Sequence, residues 1–302
     1  MKEKILYNKN GKVIHPSHIV FDAVNTILMI LICMISIYPL YYIVIYSLSD
    51  PIEASKGLTL LPKGFTLYNL TSIFKDSKIF RAFGVSAART FLGTFITVLC
   101  TSFMAYIFSQ DKLPFKKFFN RAVVLTMYLG AGLIPWYVTM CTYGLKNNFF
   151  VYIVPSAVNA YFMILIKAYL QSVPVSLQES AELDGAGIGT VFLKIIMPLS
   201  KPIVATISLF CAVGQWNSWT DNFYLVKNLE LKTLQLTLYE YFQTTVPTKN
   251  MKDLVDSMSQ RQVTTTSVRM SIAVISIIPI FMVYPFVQKY FQKGIMIGAV
   301  KG

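Results

Sequence analysis

Six apolar runs punctuate this chain, at about residues 19–48, 85–109, 121–142, 149–170, 203–222 and 268–291. Each approaches or exceeds the roughly 20 residues that a helix needs to cross a hydrocarbon core. The run at 19–48 is too long for a signal-peptide core and no small-residue cleavage site follows it, so it is read as a retained span after a polar arm at 1–18. Pro39 is expected to kink that span, and Tyr38, Tyr41, Tyr42 and Tyr46 fit an interfacial aromatic belt. Residues 49–84 form a mixed loop with amphipathic pieces such as 67–74. The second run is rich in Gly, Ala and Thr, which let membrane helices approach closely, and Arg89 near its start is placed to snorkel. Lys112, Lys116 and Lys117 mark a short basic turn, and Lys167 stands within reach of head groups.

The third and fourth runs carry breakers. Gly130, Gly132 and Pro135 interrupt one, Pro155 and Asn159 the other. Irregular backbone at membrane depth is tolerated chiefly where it is buried in protein or lines a cavity, so both runs are candidates for a translocation path. The fifth run is unusually polar, with Gly214, Gln215, Trp216, Asn217 and Trp219. A second long polar region covers 224–267, and Pro279 and Pro285 are expected to kink the last span. Asp22 and Asp221, the acids near span ends, read as boundary residues.

Between the fourth and fifth runs lies a polar stretch from Pro174 to Pro202. Ser176 followed by Glu179 has the spacing of a capping box and predicts a helix starting near Leu177. That helix carries Glu179 and Glu182 on one face and Leu177 and Ala181 on a neighbouring one. Gly185, Gly187 and Gly189 then permit a turn before the apolar pattern resumes at 190–196. With no partner, such a segment is an amphipathic interfacial helix.

Composition supports a membrane protein: 55% of the 302 residues are hydrophobic and 14% charged, and the mean hydropathy is +0.55. The net charge of +13 comes with no zinc-ligand spacing or recognition-helix context, so anionic lipid explains it better than nucleic acid. Cys33, Cys100, Cys141 and Cys211 sit in or beside apolar runs without close pairing and read as buried side chains, and His15 and His18 as solvated. Lys and Arg divide 13 to 11 between the two sides of a six-span arrangement, too even to orient it. Nothing has the form of a paired intramembrane carboxylate, a His cluster, a nucleophile elbow or a phosphate-binding Gly-x-x-x-x-Gly-Lys-Ser/Thr loop, so no metal or catalytic site is assigned.

The string Glu179-Ser180-Ala181, with Leu183 to Gly187 reading LDGAG and Ile195-Ile196-Met197-Pro198 following at the expected interval, resembles the EAA loop of binding-protein-dependent ABC importers. Ser180 and Met197 depart from the usual alanine and leucine, both conservatively in size. The whole chain, with the tail Gly298-Ala299-Val300-Lys301-Gly302, resembles a MalG-type permease subunit of carbohydrate importers. That resemblance implies an all-α integral membrane protein with a MetI/MalG-like permease fold: six spans in a single domain over 19–302, multi-pass in a bacterial cell membrane, both termini cytoplasmic. It implies a coupling set of Glu179, Ser180, Ala181, Asp184, Gly185, Ala186, Ile195 and Pro198. Glu179 is expected to meet a basic residue of the ATPase, and Asp184-Gly185 to shape the coupling helix. The implied partners are a second homologous permease, two ATP-binding subunits that use ATP and Mg²⁺, and an extracellular solute-binding protein that docks near 224–267. This chain itself is expected to bind no cofactor.

For the sugar, Trp136, Asn159, Gln215, Trp216, Asn217 and Trp219 offer ring faces and amides suited to hydroxyl-rich ligands. The competing reading makes the same residues interfacial anchors and interhelix glue. A peptide, polyamine or phosphate importer sharing the same loop is the alternative function.

Overall fold

The computed structural model describes residues 6–7, 13–14, 16–57, 60–243 and 264–299. Its described residues are mostly helical, joined by turns and short irregular segments. Among them the one strand pair lies in the amino-terminal arm, where β1 (Leu6–Tyr7) pairs antiparallel with β2 (Val13–Ile14).

Helix α1 (Pro16–Ser47) holds Pro39 within it. From Val20 to about Leu40 its large apolar side chains are exposed all round, while Ile45 and Tyr46 at its far end are buried. An all-round apolar stretch that the described residues leave uncovered needs lipid or another subunit. The loop region that follows contains α2 (Pro51–Ser55), which Asp50 caps through its carboxylate, and the amphipathic α3 (Tyr68–Lys75).

Helix α4 (Ser77–Ser109) begins eight residues before the apolar run at 85–109. Asp76 accepts from the amide of Lys78 at 2.8 Å to start it. The first two turns carry Lys78 and Arg81, which hydropathy alone excludes from a span, yet Ile79 and Ala82 between them are buried. Ile79 belongs to an outer apolar cluster shared with α13 (Leu234–Gln243) and α14 (Thr265–Ala299).

The third, fourth and fifth runs are each bent. Helices α5 (Lys116–Tyr128) and α6 (Leu133–Thr142) meet at 115° across a break where Gly132 has φ +84°. Two 3-10 turns (Phe149–Tyr152 and Val154–Ser156) lead at 45° into α7 (Ala160–Leu170), whose first turn Asn159 caps by accepting from the Phe162 amide at 3.0 Å. After the polar α8 (Ser176–Leu183), the chain runs through α9 (Ile188–Val191), a wide π turn (Phe192–Ile196) and α10 (Met197–Leu199). It then bends 86° into α11 (Lys201–Asn217). The expected fifth span reached 222; the helix stops at Asn217, and the extended Ser218 separates it from α12 (Thr220–Leu225).

Among the described residues three helical stretches are long and apolar enough to cross a membrane alone, Val20–Ser47, Ser77–Ser109 and Thr265–Pro285, and the three bent pairs bring the number to as many as six. Helix α14 is one helix through Pro279 and Pro285, reaching Ala299 and so including Gly298 and Ala299 of the expected carboxy-terminal tail; residues 300–302 lie outside the described residues.

The core is built on α4 against α11. A Cβ on Gly93 of α4 would stand 2.8 Å from Cδ and Nε2 of Gln215 on α11, so glycine is what lets these helices meet around that amide.

Candidate functional site

Two features stand on opposite stretches of α4 and α11: a polar knuckle at α8 and a cavity.

The knuckle begins without the expected capping box. Val175, with helical dihedrals of −61° and −32°, holds the cap position, and no side chain caps it. Pro174 and Val175 already turn as helix, so the amides of Leu177 and Gln178 bond the carbonyls of Pro174 and Val175 at 3.3 and 2.9 Å. Ser176 therefore lies one position inside the helix rather than before it. The carboxyl end follows the Schellman pattern, with Gly185 N–H on Glu182 O at 3.0 Å and Ala186 N–H on Ala181 O at 2.9 Å. Gly185 makes this possible with φ +83°. No atom lies within 4 Å of a Cβ built there, so the requirement is backbone conformation and not room. Gly187, at φ −72°, and Gly189 have no such need.

The residues expected to couple divide between two faces. Glu179, Ser180, Asp184, Gly185 and Pro198 are exposed. Ala181, Ala186 and Ile195 turn inward, onto an apolar cluster that includes Val98, Ala105, Met163, Ile166, Phe192 and Ile207. The wide turn at 192–196, closed by the Met197 amide on Phe192 O, precedes Pro198, whose ring would meet the Lys194 carbonyl in a regular helix. Glu182 does not share the free position of Glu179: it accepts from Lys112 Nζ at 2.7 Å, and its carboxylate holds that ammonium above its ordinary pKa. Gln178, the one buried residue of α8, accepts through Oε1 from Nε2 of Gln110 at 2.9 Å. Lys167 donates to Asn120 Oδ1 at 2.6 Å, a partner within the protein that replaces the expected head-group contact.

The cavity, about 360 Å³, lies where α4, α7, α11 and the 3-10 turns converge. Arg89 dominates one end. Only 3% exposed, it donates from Nε to Gln215 Oε1 at 3.0 Å and from Nη1 to Ser218 O at 3.1 Å. Both terminal nitrogens engage Asp221, Nη1 reaching Oδ1 at 3.0 Å and Nη2 pairing with Oδ2. The guanidinium also lies 4.6 Å over the Tyr152 ring. Arg89 thus does not snorkel and Asp221 is no boundary residue. A carboxylate within bidentate reach outcompetes a climb to the interface, because a charge at this depth must be paired. Gln215 continues the network by donating from Nε2 to Ser156 Oγ at 2.8 Å.

Trp136, Asn159 and Gln215 line this cavity, together with Phe162 and Phe210. The other three residues singled out for sugar lie elsewhere. Trp216 is buried in the outer cluster with its Nε1 on Ser276 O at 2.9 Å. Asn217 is exposed and accepts from Gln235 Nε2 at 3.3 Å, and Trp219 stacks on Tyr239 with centroids 3.8 Å apart. Helical phase is the reason: neighbours on α11 point about 100° apart, so Gln215 and Trp216 cannot share a face. Arg89, Asp221 and Tyr152 were missed as cavity residues. The signal available was an arginine and an aspartate at apolar-run ends, which in a membrane chain implies a partner. Among the described residues no group of three or more His, Cys, Asp or Glu is placed to hold a metal.

A helical chain with up to six membrane-crossing segments, a cavity between broken helices and an exposed polar knuckle beside it has the make-up of a transport permease. No protein-family profile matches it. It is 33% identical over 284 residues to protein LplC of Bacillus subtilis (strain 168), covering 94% of this chain and 95% of that one. To the polygalacturonan/rhamnogalacturonan transport system permease protein YtcP of the same organism it is 32% identical, covering 93% of this chain and 98% of YtcP. A chain in the crystal structure of a bacterial ABC transporter involved in the import of the acidic polysaccharide alginate matches with a TM-score of 0.86 at 28% identity, covering 92% of this chain and 99% of that chain. The protein belongs to the family of permease subunits of carbohydrate ABC transporters. As such it is a membrane-embedded transport component of a multisubunit complex.

Proposed function

We propose that this chain forms half of the translocation path of a bacterial importer for an oligosaccharide and that α8 is its coupling helix. The second half is a homologous permease, two ATP-binding subunits hydrolyse ATP with Mg²⁺, and an extracellular solute-binding protein delivers the sugar. This chain binds no nucleotide, since it has no phosphate-binding loop. Six spans, with each bent pair counted as one, leave both termini and α8 on one side, which we read as cytoplasmic, and the residues around α12 and α13 on the other.

The observation that carries the reading is the two-faced build of α8. Its inner face is fastened to the bundle by Ala181, Ala186, Gln178 and Glu182, while Glu179, Ser180, Leu183 and Asp184 stand free at the surface, Leu183 at 88% exposure. A short helix so fastened passes displacement by an outside partner to the spans as rigid-body movement. The cavity supports a saccharide: rings at Trp136, Phe162 and Phe210 and amides at Asn159 and Gln215 suit sugar faces and hydroxyls. Arg89 and Asp221 balance each other there, so the wall presents no isolated charge to select an ion.

The test is Glu179→Lys, measured by uptake of ¹⁴C-labelled oligosaccharides at matched membrane abundance. Reversed charge is repelled by a basic ATPase pocket, so uptake is expected to be lost while insertion is retained. Normal uptake contradicts the coupling role. Deleting the gene is expected to abolish oligosaccharide uptake; if that persists while peptide, polyamine or phosphate uptake disappears, the cargo is of that other class.

A further inference from the structure

Helix α8 meets the bundle through two kinds of contact. Ala181 and Ala186 pack against apolar neighbours, a contact that resists separation but not sliding. The other contact is directional. Gln178, 9% exposed, takes a hydrogen bond from Gln110, and one turn further on Glu182 takes one from Lys112. Residues four apart share a helix face, so one edge of α8 is tied twice to the same place. That place is the end of α4: Gln110 is its terminal cap, with its amide on Ile107 O at 3.2 Å. The same helix carries Arg89, Gly93 and Thr97 at the cavity end of the molecule.

From these contacts we infer that Gln178 and Gln110 are positioning residues for coupling, keying α8 to α4 so that knuckle movement reaches the cavity wall through α4. The inference rests on α8 being the coupling helix, as proposed above. The alternative route follows the chain, and it is compliant: it passes the positive-φ Gly185, then Gly187 and Gly189, a wide π turn and an 86° bend before reaching α11. Helix α4 is 33 residues without a break, a rod of about 50 Å at 1.5 Å per residue. Displacement entering at its last turn arrives at Arg89, and hence at Gln215 and Asp221, without crossing a hinge.

The test uses the assembled importer in lipid vesicles, reading MgATP hydrolysis with and without the binding protein charged with the solute it carries. Gln178→Glu alone keeps the joint, because Gln110 still donates, and stimulation stays near that of the unaltered importer. Gln110→Glu/Gln178→Glu sets two carboxylates against each other and parts it. Stimulation is expected to fall about tenfold, within the range of coupling between sites, with subunit yield and basal hydrolysis unchanged. Gln110→Lys/Gln178→Glu rebuilds the joint as an ion pair and restores stimulation. Undiminished stimulation in the double-acid variant, or a loss that the Lys/Glu pair fails to reverse, overturns the inference. If the double-acid variant does not assemble, Gln110→Ala/Gln178→Ala removes the bond without adding charge and is expected to show the same loss; full stimulation there overturns the inference equally. Glu179→Lys, run alongside, separates the two claims. If it abolishes stimulation while the double-acid variant keeps it, the joint is irrelevant and the coupling helix stands. If Glu179→Lys also leaves stimulation intact, the coupling-helix reading itself fails.

Discussion

Arg89 is a buried charge with its donors committed to Asp221, Gln215 and Ser218. Removing one member of such a pair strands the other, at about 3–5 kcal/mol, whereas replacing both by apolar groups is often neutral. Asp221→Leu alone is therefore expected to lower stability by that amount, and Arg89→Met/Asp221→Leu to recover most of it, read as the midpoint of thermal unfolding in detergent. Equal losses in the single and double variants would contradict the pairing. The glycines of the knuckle separate in the same way. Gly185→Ala forces a side chain into the left-handed region at about 1–2 kcal/mol, while Gly187→Ala, at φ −72°, is expected to change stability little. In the sequence these glycines look alike, because φ is set by the Schellman closure on Ala181 and Glu182 and not by composition. The identity of the breakers was legible at residue scale. Which of them is strained was not.

Among the elements, the apolar runs were found wherever hydropathy decides. Their limits were misplaced where another force decides. Helix α4 extends back past Arg81 because Ile79 buries in the cluster shared with α13 and α14, a tertiary contact that a run of apolar residues does not announce. Helix α11 ends early because the chain breaks at Ser218 to bring Asp221 to Arg89. Half of the sugar candidates were assigned from a polar cluster without regard to helical phase, and the phase sorts them: Gln215 faces the cavity and Trp216 the outer core. The closeness of α4 and α11 gives a prediction at this scale. Gly93→Leu drives a side chain into Gln215, which Arg89 and Ser156 hold in place, and is expected to destabilise by about 1–3 kcal/mol, the usual penalty of overpacking. The same thermal measurement checks it, and unchanged stability would show that the two helices are free to part.

At the scale of the whole molecule, the exposed apolar length of α1 and the cavity open between broken helices describe a part of an assembly. The chain is expected to copurify with a second permease and an ATP-binding subunit and to hydrolyse no ATP on its own, which affinity capture in mild detergent followed by an ATPase assay checks. ATP hydrolysis by the isolated chain would contradict it. Family membership was legible in the sequence because the motif from Glu179 to Pro198 is local and its spacing survives without tertiary information. The Arg89–Asp221 pair and the docking of α8 on α4 join residues distant in the chain, so neither was. A coupling role for α8 depends most on which side of the membrane it occupies and what it touches there. A single cysteine at Leu183, in a chain with Cys33, Cys100, Cys141 and Cys211 replaced, is the direct probe. A membrane-impermeant maleimide should leave it unlabelled in intact cells and label it in inverted vesicles, where it should also cross-link to the ATP-binding subunit. Labelling in intact cells, or no cross-link in the assembled complex, would contradict the account.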